Sequence, residues 1–170
     1  MTDPHLLGAA DAPVTIVEYA DLECPYCRAA APVLRQVVEA SGGRVRLEFR
    51  HFPLFEVHPH ALTAALAVEE AAEQGRFWEL VGELFAHQDR LTDADLVAHA
   101  RRAGLADPEA VAGPVAQRHA DRVRRDYADG LAAGVDGTPT IFVDGARFRG
   151  RPTPERLREA IDRAAAARFS

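Results

Sequence analysis

The chain holds two cysteines, and they stand together as Cys24-Pro25-Tyr26-Cys27. The residues before them, Val14-Thr15-Ile16-Val17-Glu18-Tyr19, are rich in β-branched side chains and read as a strand. The residues after them read as a helix, with Pro25 suited to a first helical position, where its missing N–H costs nothing. The pair therefore sits on a turn from strand into helix. At this spacing two thiols can close a disulfide with each other and open it again, which is the arrangement of a redox motif. With both cysteines in one motif, a structural disulfide framework is excluded.

The rest of the chain builds a frame around this turn. The helix is expected from Pro25 to about Ser41, kinked at Pro32, where the Arg28 carbonyl loses its partner, and ended by Gly42-Gly43. Arg44–Arg50 alternates, with Val45, Leu47 and Phe49 on one face, and predicts a second strand, parallel to the first through a right-handed crossover. Residues 56–134 read as helical. Phe77, Leu80, Val81, Leu84 and Phe85 fall on one buried helix face, and Thr92 with Asp95 forms a capping box. Asp107-Pro108 predicts another helix start, Gly113-Pro114 an interruption, and a longer helix should run to about Ala133. Thr140–Val143 and Ala146–Arg149 flank Asp144-Gly145, a two-residue hairpin signal, and Thr153-Pro154 opens a last helix with Leu157, Ile161 and Ala164 inward. The order is βαβ, a helical insertion at 56–134, then ββα, with 1–55 and 135–170 as the outer frame of one structural unit.

Position assigns the chemistry. Unpaired N–H groups at a helix start favour negative charge, so Cys24 is the candidate nucleophile as thiolate. Cys27, one turn deeper and more buried, is the candidate resolving thiol that releases substrate from a mixed disulfide. Glu18 shares a strand face with Val14 and Ile16; a carboxyl there should have a raised pKa and can move a proton to or from Cys27. The alternative is an acid at a strand end that reaches water. Gly137-Thr138-Pro139-Thr140 opens a strand with proline. A cis Thr138–Pro139 bond would set this loop beside Cys24 and leave the Thr138 backbone for an extended peptide, although local sequence favours trans.

Three stretches carry a resemblance: Asp11 to Cys27, reading Asp-Ala-Pro-Val-Thr-Ile-Val-Glu-Tyr-Ala-Asp-Leu-Glu-Cys-Pro-Tyr-Cys; Gln74-Gly75-Arg76-Phe77-Trp78; and Gly134 to Gly145, reading Gly-Val-Asp-Gly-Thr-Pro-Thr-Ile-Phe-Val-Asp-Gly. In this order the chain resembles the DsbA-type thiol–disulfide oxidoreductases of the thioredoxin superfamily. The resemblance implies an α/β thioredoxin fold with a mixed central sheet and an inserted helical subdomain. It implies an attacking Cys24, a resolving Cys27, a buried acid at Glu18 and a cis Pro139. Pro25, Tyr26, Thr138 and Pro139 would border the substrate. Strongly oxidising periplasmic members have histidine where this chain has Tyr26. Lacking that charge, the Cys24/Cys27 couple is expected between those oxidants and the reducing thioredoxins in potential.

Composition narrows partners. A net charge of −6 argues against nucleic acid and anionic membranes. No segment approaches a membrane span. Met1-Thr2-Asp3-Pro4-His5 carries no secretory signal, which predicts a cytoplasmic chain, or a periplasmic one whose leader has been removed. The expected partners are cysteines of extended or unfolded polypeptides and an unidentified redox protein, with no cofactor or metal.

Three other readings remain. Pro25-Tyr26 between the cysteines also matches glutaredoxins, but their Gly-Gly pair for glutathione is replaced here by Phe148-Arg149-Gly150-Arg151. Half a zinc site is present, and His51, His58 and His60 are the residues available to complete it, but most of them read more simply as surface or interface residues of the insertion. The insertion also suits a peptide-binding or chaperone module. Trp78 is placed at the boundary of insertion and frame, and Arg122, Arg124 and Arg125 with Asp121 and Asp126 read as a solvated helix face.

Overall fold

The computed structural model describes residues 2–170. Its strands are β1 (Leu6–Gly8), β2 (Val14–Ala20), β3 (Val45–His51), β4 (Thr140–Val143) and β5 (Ala146–Phe148), in the order β1-β3-β2-β4-β5. The helices are α1 (Pro25–Glu39), α2 (Ala61–Glu73), α3 (Phe77–Ala86), α4 (Asp93–Arg102), the single turn α5 (Gly113–Ala116), α6 (Ala120–Ala132) and α7 (Pro154–Ala167). β2 and β3 pair in parallel across the α1 crossover, and β4 runs antiparallel to β2. This is the mixed sheet of a thioredoxin fold, with helices inserted between β3 and β4.

β1 escaped the sequence reading. Three residues are too few to show alternation, and its pairing with β3, Leu7 opposite Leu47, is antiparallel and non-local. Gly8 makes the pairing possible: at φ 102° a Cβ would meet the Val45 carbonyl oxygen at 2.7 Å.

Other boundaries moved. α1 ends at Glu39 rather than Ser41, because the Ser41 hydroxyl turns back to donate to the Val38 carbonyl at 2.7 Å. It continues through Pro32 without a break. Asp107-Pro108 opens only a 3₁₀ turn, Pro108–Val111, since Gly113 at φ 71° redirects the chain. The longer helix is α6, starting at Ala120. The capping box at Thr92 and Asp95 is present, and Thr153 caps α7. Asp144 and Gly145 both have positive φ, 46° and 83°, as a type I′ hairpin turn requires.

The sheet divides the interior. On one side α1 and α7 cover Val14, Ile16, Val45, Leu47 and Ile141 with Leu34, Leu157 and Ile161. The inserted helices add a second cluster in which Leu80, Leu84 and Leu96 pack with Leu22, Phe49 and both cysteines. Fully burying each leucine contributes roughly 1.5–3 kcal/mol, so the thiol pair is anchored in the better part of the core. Trp78 joins the two clusters and its Nε1–H donates to the Leu6 carbonyl at 3.1 Å, the boundary position expected for it.

Of the two positions read as surface or interface, His51 falls at the interface with the insertion, and the solvated-face reading of Asp126 is corrected. His51 is 1% exposed. Its Nε2 lies 2.6 Å from Glu69 Oε1, and its backbone N–H donates to Asp126 at 3.0 Å. Asp126 is therefore a buried acceptor bracing β3 rather than part of a solvated face, with Arg122 beside it at 3.1 Å.

Candidate functional site

The β2–α1 turn brings the sulfurs to the end of the sheet. Cys24 is the residue just before α1, with extended backbone (φ −75°, ψ 124°), and Cys27 is the third residue of the helix. Both are present as thiols. Cys24 is 2% exposed and Cys27 is 0% exposed, so the expected difference in burial is small. The loop from the far end of the chain covers Cys24: its Sγ lies 3.6 Å from the Thr138 carbonyl oxygen, and the Thr138–Pro139 peptide is cis.

The two sulfurs differ in the direction their acidity is shifted far more than in exposure. Donation from the Cys27 thiol lowers the Cys24 pKa to about 5; burial opposes this, while the Thr138 hydroxyl and the N–H groups of Cys27 and Tyr26 add to it. The Thr138 hydroxyl is buried and makes no hydrogen bond, so it is free to turn toward Sγ. Cys27 moves the other way. Burial, with its donation to Cys24 and the charges of Glu18 and Cys24, holds it far above the ordinary thiol range.

Glu18 is 2% exposed and its Oε1 has no hydrogen-bond partner. Burial first, and then the Cys24 charge, raise its pKa to about 8. It sits in β2 opposite Phe49 on β3 and Ile141 on β4, among apolar neighbours rather than at a wet strand end. An opening of about 300 Å³ lined by Arg28, Pro32, Phe49, Trp78 and Gly82 reaches this carboxyl from the side of α3.

Tyr26 is 73% exposed. Beside it a groove of about 660 Å³ runs between Pro25, Val33, Pro139, Ile141 and Phe148. Thus Cys24, Cys27, Glu18, Pro25, Tyr26, Thr138 and Pro139 are gathered at one end of the sheet.

The sequence reading missed two residues here. Gln88, in the turn after α3, donates from Nε2 to the carbonyls of Leu22 and Cys24, both at 2.9 Å. Nothing in its local sequence marks that role. Asp21 is buried in the loop before the motif and is bonded to His58. A charged residue three places before Cys24, between the apolar Ala20 and Leu22, was the signal available.

The zinc reading finds its histidines engaged elsewhere, His51 with Glu69 and His58 with Asp21. Among the described residues, the groups with metal-ligand geometry are Glu83–His87–His99 and Glu70–Glu73–His119, neither containing a cysteine. Each also holds an arginine guanidinium, Arg102 and Arg118 respectively.

A thiol pair at the start of the first long helix, faced by a cis-proline loop and floored by a buried acid, defines the DsbA-like class of thioredoxin-fold proteins. A family model described as Thioredoxin matches residues 1–163, so the chain belongs to the thioredoxin family. A thioredoxin-like oxidoreductase from Silicibacter pomeroyi is 28% identical, with a TM-score of 0.81 over 95% of this chain and 91% of that one. DsbA2 from Pseudomonas aeruginosa is 29% identical, with a TM-score of 0.71 over 95% and 94%. BdbD from Bacillus subtilis, 24% identical, shares the fold at a TM-score of 0.83 over 95% and 92%. Among curated proteins, the Na(+)/H(+) antiporter NhaA 3 of Salinispora tropica is 46% identical over 158 residues, which is 92% of this chain and 24% of that protein. The chain spans about a quarter of the length of the curated relatives it matches.

Proposed function

We propose that the chain exchanges disulfides with cysteines of extended polypeptides through Cys24. In the reducing direction, the Cys24 thiolate attacks one sulfur of a substrate disulfide and the other sulfur leaves as thiolate. Glu18, having passed its own proton to water, takes the proton of Cys27; the Cys27 sulfur attacks Cys24 Sγ, and the second substrate sulfur leaves as thiolate while the Cys24–Cys27 disulfide forms. The oxidising direction is the reverse, and the poise of the compartment and its redox partner set the net flow. The observation that carries this reading is the placement of two free thiols at the start of α1, with Cys24 Sγ 3.6 Å from the Thr138 carbonyl oxygen on the cis-proline loop.

Supporting details follow from the same end of the sheet. Pro25, Tyr26 and Pro139 border the groove of about 660 Å³ in which an extended chain would lie, and the unpaired Thr138 hydroxyl serves the thiolate. The opening lined by Arg28 and Gly82 gives the Glu18 proton a way to water. Residues 1–55 with 135–170 act as the thioredoxin-fold domain, and 56–134 as a subdomain that walls the site.

The compartment is inferred to lie outside the cytoplasm. A structure of the same fold is described as a periplasmic thioredoxin-like protein from Salmonella enterica, and other neighbours are DsbA-like. The cytoplasmic expectation, drawn from the N-terminus alone, has no comparable support. Among the described residues no helix is long and apolar enough to cross a membrane. What the antiporter relatives share with this chain is accordingly their thioredoxin-like part, and no transport is proposed for it.

The test is trapping. Cys27→Ser protein incubated with a peptide disulfide should accumulate a mixed disulfide on Cys24, read by mass, while Cys24→Ser should accumulate none. Equal labelling of both variants, or of neither, overturns the proposal.

A further inference from the structure

The loop between β2 and α1 contains a carboxylate whose charge works against the thiolate it supports. Asp21 Oδ1 accepts the Glu23 N–H at 2.8 Å, and Oδ2 accepts the Leu54 N–H at 2.9 Å. The Asp21 carbonyl accepts the Cys24 N–H at 3.1 Å, and the Asp21 N–H approaches Cys27 Sγ at 3.5 Å. The residue thus braces the main chain on both sides of the motif. Its side chain is 0% exposed. A buried negative charge one turn from Cys24 disfavours a second negative charge there.

One cation answers it. His58 Nδ1 lies 2.7 Å from Asp21 Oδ2, and among the described residues this is the ion pair Asp21 makes. The charged groups facing the imidazole are Asp21 and Glu23 from the β2–α1 loop and Cys24 at the start of α1. Glu23 is itself drawn to the same segment, its Oε2 accepting the His60 N–H at 2.7 Å. The side chain of His58 is 22% exposed, which leaves its ring open to protons from solvent.

We propose that His58 is a positioning residue of the thiol site: held by Asp21, its imidazolium cancels the bracing carboxylate and makes room for negative charge on Cys24, supplying from the loop after β3 the cation that Pro25-Tyr26 lacks. This rests on the reading of Cys24 as the nucleophile. Burial lowers the His58 pKa, but the Asp21 hydrogen bond and the charges of Asp21, Cys24 and Glu23 outweigh it and raise the value above the ordinary imidazole range.

His58→Asn separates charge from geometry, because an asparagine amide can still donate to Asp21 from nearly the Nδ1 position. The ultraviolet thiolate absorbance of reduced protein should then titrate about one pH unit higher, a tenfold loss of acidity. The Cys24/Cys27 couple should become more reducing by the same tenfold factor, about 30 mV. His58→Lys, which keeps the charge, should restore both toward wild type. A His58→Asn protein that is folded and titrates like wild type overturns the proposal and leaves the nucleophile reading standing. An ordinary thiol pKa in wild type removes the nucleophile reading and this proposal with it. The native protein supplies a check that needs no variant. Linkage is reciprocal, so the His58 resonance should titrate about one unit lower once the Cys24–Cys27 disulfide has consumed the thiolate. An unchanged His58 titration on oxidation overturns the proposal as well.

Discussion

Cys24 Sγ rests 3.6 Å from the carbonyl oxygen of Thr138, a residue 114 positions further along the chain. The approach joins the two halves of the frame at the point where the reaction is proposed to occur. It also dries the nucleophile, so its charge depends on donors built into the fold: the Cys27 thiol, the Thr138 hydroxyl and the first N–H groups of α1.

That dependence links redox state to pH. A thiol held at about pKa 5 in the folded state and near 8.5 when unfolded stabilises the reduced protein increasingly as pH rises between those values, by about 1.4 kcal/mol per unit. The disulfide form has no such group. Between pH 5 and 7.5 the reduced protein should therefore gain on the oxidised one by roughly 3–5 °C in Tm per pH unit for a chain of this size. Paired calorimetric scans of the two forms check this; a difference independent of pH counts against a stabilised thiolate.

Glu18 predicts the opposite slope, which offsets that of Cys24 in the reduced form and stands alone in the disulfide form, where it is to be measured. With a folded pKa near 8 and an ordinary unfolded one near 4.3, the folded state holds a proton that the unfolded state releases. Stability should fall across that window as pH rises, by about 1.4 kcal/mol per unit. Glu18→Gln should abolish the slope and raise stability at pH 7. The same variant should slow release of substrate from the Cys24 mixed disulfide by on the order of 10²-fold, the usual effect of losing a positioned proton acceptor. Urea midpoints against pH and single-turnover release rates are the measurements. A variant that keeps the slope and the wild-type rate would exclude the carboxyl from both roles.

Much of this was written into neighbouring residues. The β2–α1 turn, the hairpin at Asp144-Gly145 and the acidity-prone position of Cys24 follow from local rules, and the alternation of Val14, Ile16 and Glu18 was enough to put the acid in the core. The cis Thr138–Pro139 bond was not local; only resemblance pointed to it. β1, Gln88 and the Asp21–His58 pair were hidden for one shared reason. Each takes its meaning from a partner more than 30 residues away: Leu7 from Leu47, Gln88 from Cys24, Asp21 from His58. A buried histidine such as His51 looks the same in sequence as an exposed one, since Glu69 becomes its neighbour only after α2 docks on β3.

Gln88 is expected to be structural and specific. Gln88→Ala leaves the Leu22 and Cys24 carbonyls without a side-chain donor and should cost about 1–2 kcal/mol in urea unfolding. Gln88→Glu should cost more and should raise the Cys24 pKa, because a carboxylate would face two carbonyls and the thiolate. An alanine variant as stable as wild type would show that the turn after α3 does not clamp the motif.

Glu69 lies between two imidazoles, 2.8 Å from His5 Nε2 and 2.6 Å from His51 Nε2. Burial would raise its pKa, but the bonds and charges of His5 and His51 overcome it and hold the carboxyl below the usual range. His5 is raised by Glu69 and Asp3 against the effect of burial. The carboxylate's contribution is present above about pH 4.5 and lost as pH falls further; that of His5 is full below about pH 6.5 and lost as pH rises through its raised pKa. The pair should support the fold best between those limits. Glu69→Gln should cost roughly 3 kcal/mol at pH 6 and flatten both flanks of the stability–pH curve. An unaltered curve would mean that the network carries no net charge coupling.

The central claim is that Cys24 is an anion at neutral pH while Cys27 is not. Titrating the reduced protein by thiolate absorbance, with Cys27→Ser as the control for the second sulfur, measures it directly. One thiolate should form with a midpoint near pH 5 and no second should follow below pH 9. A first midpoint in the ordinary thiol range, near 8.5, or two thiols ionising together, would contradict the account.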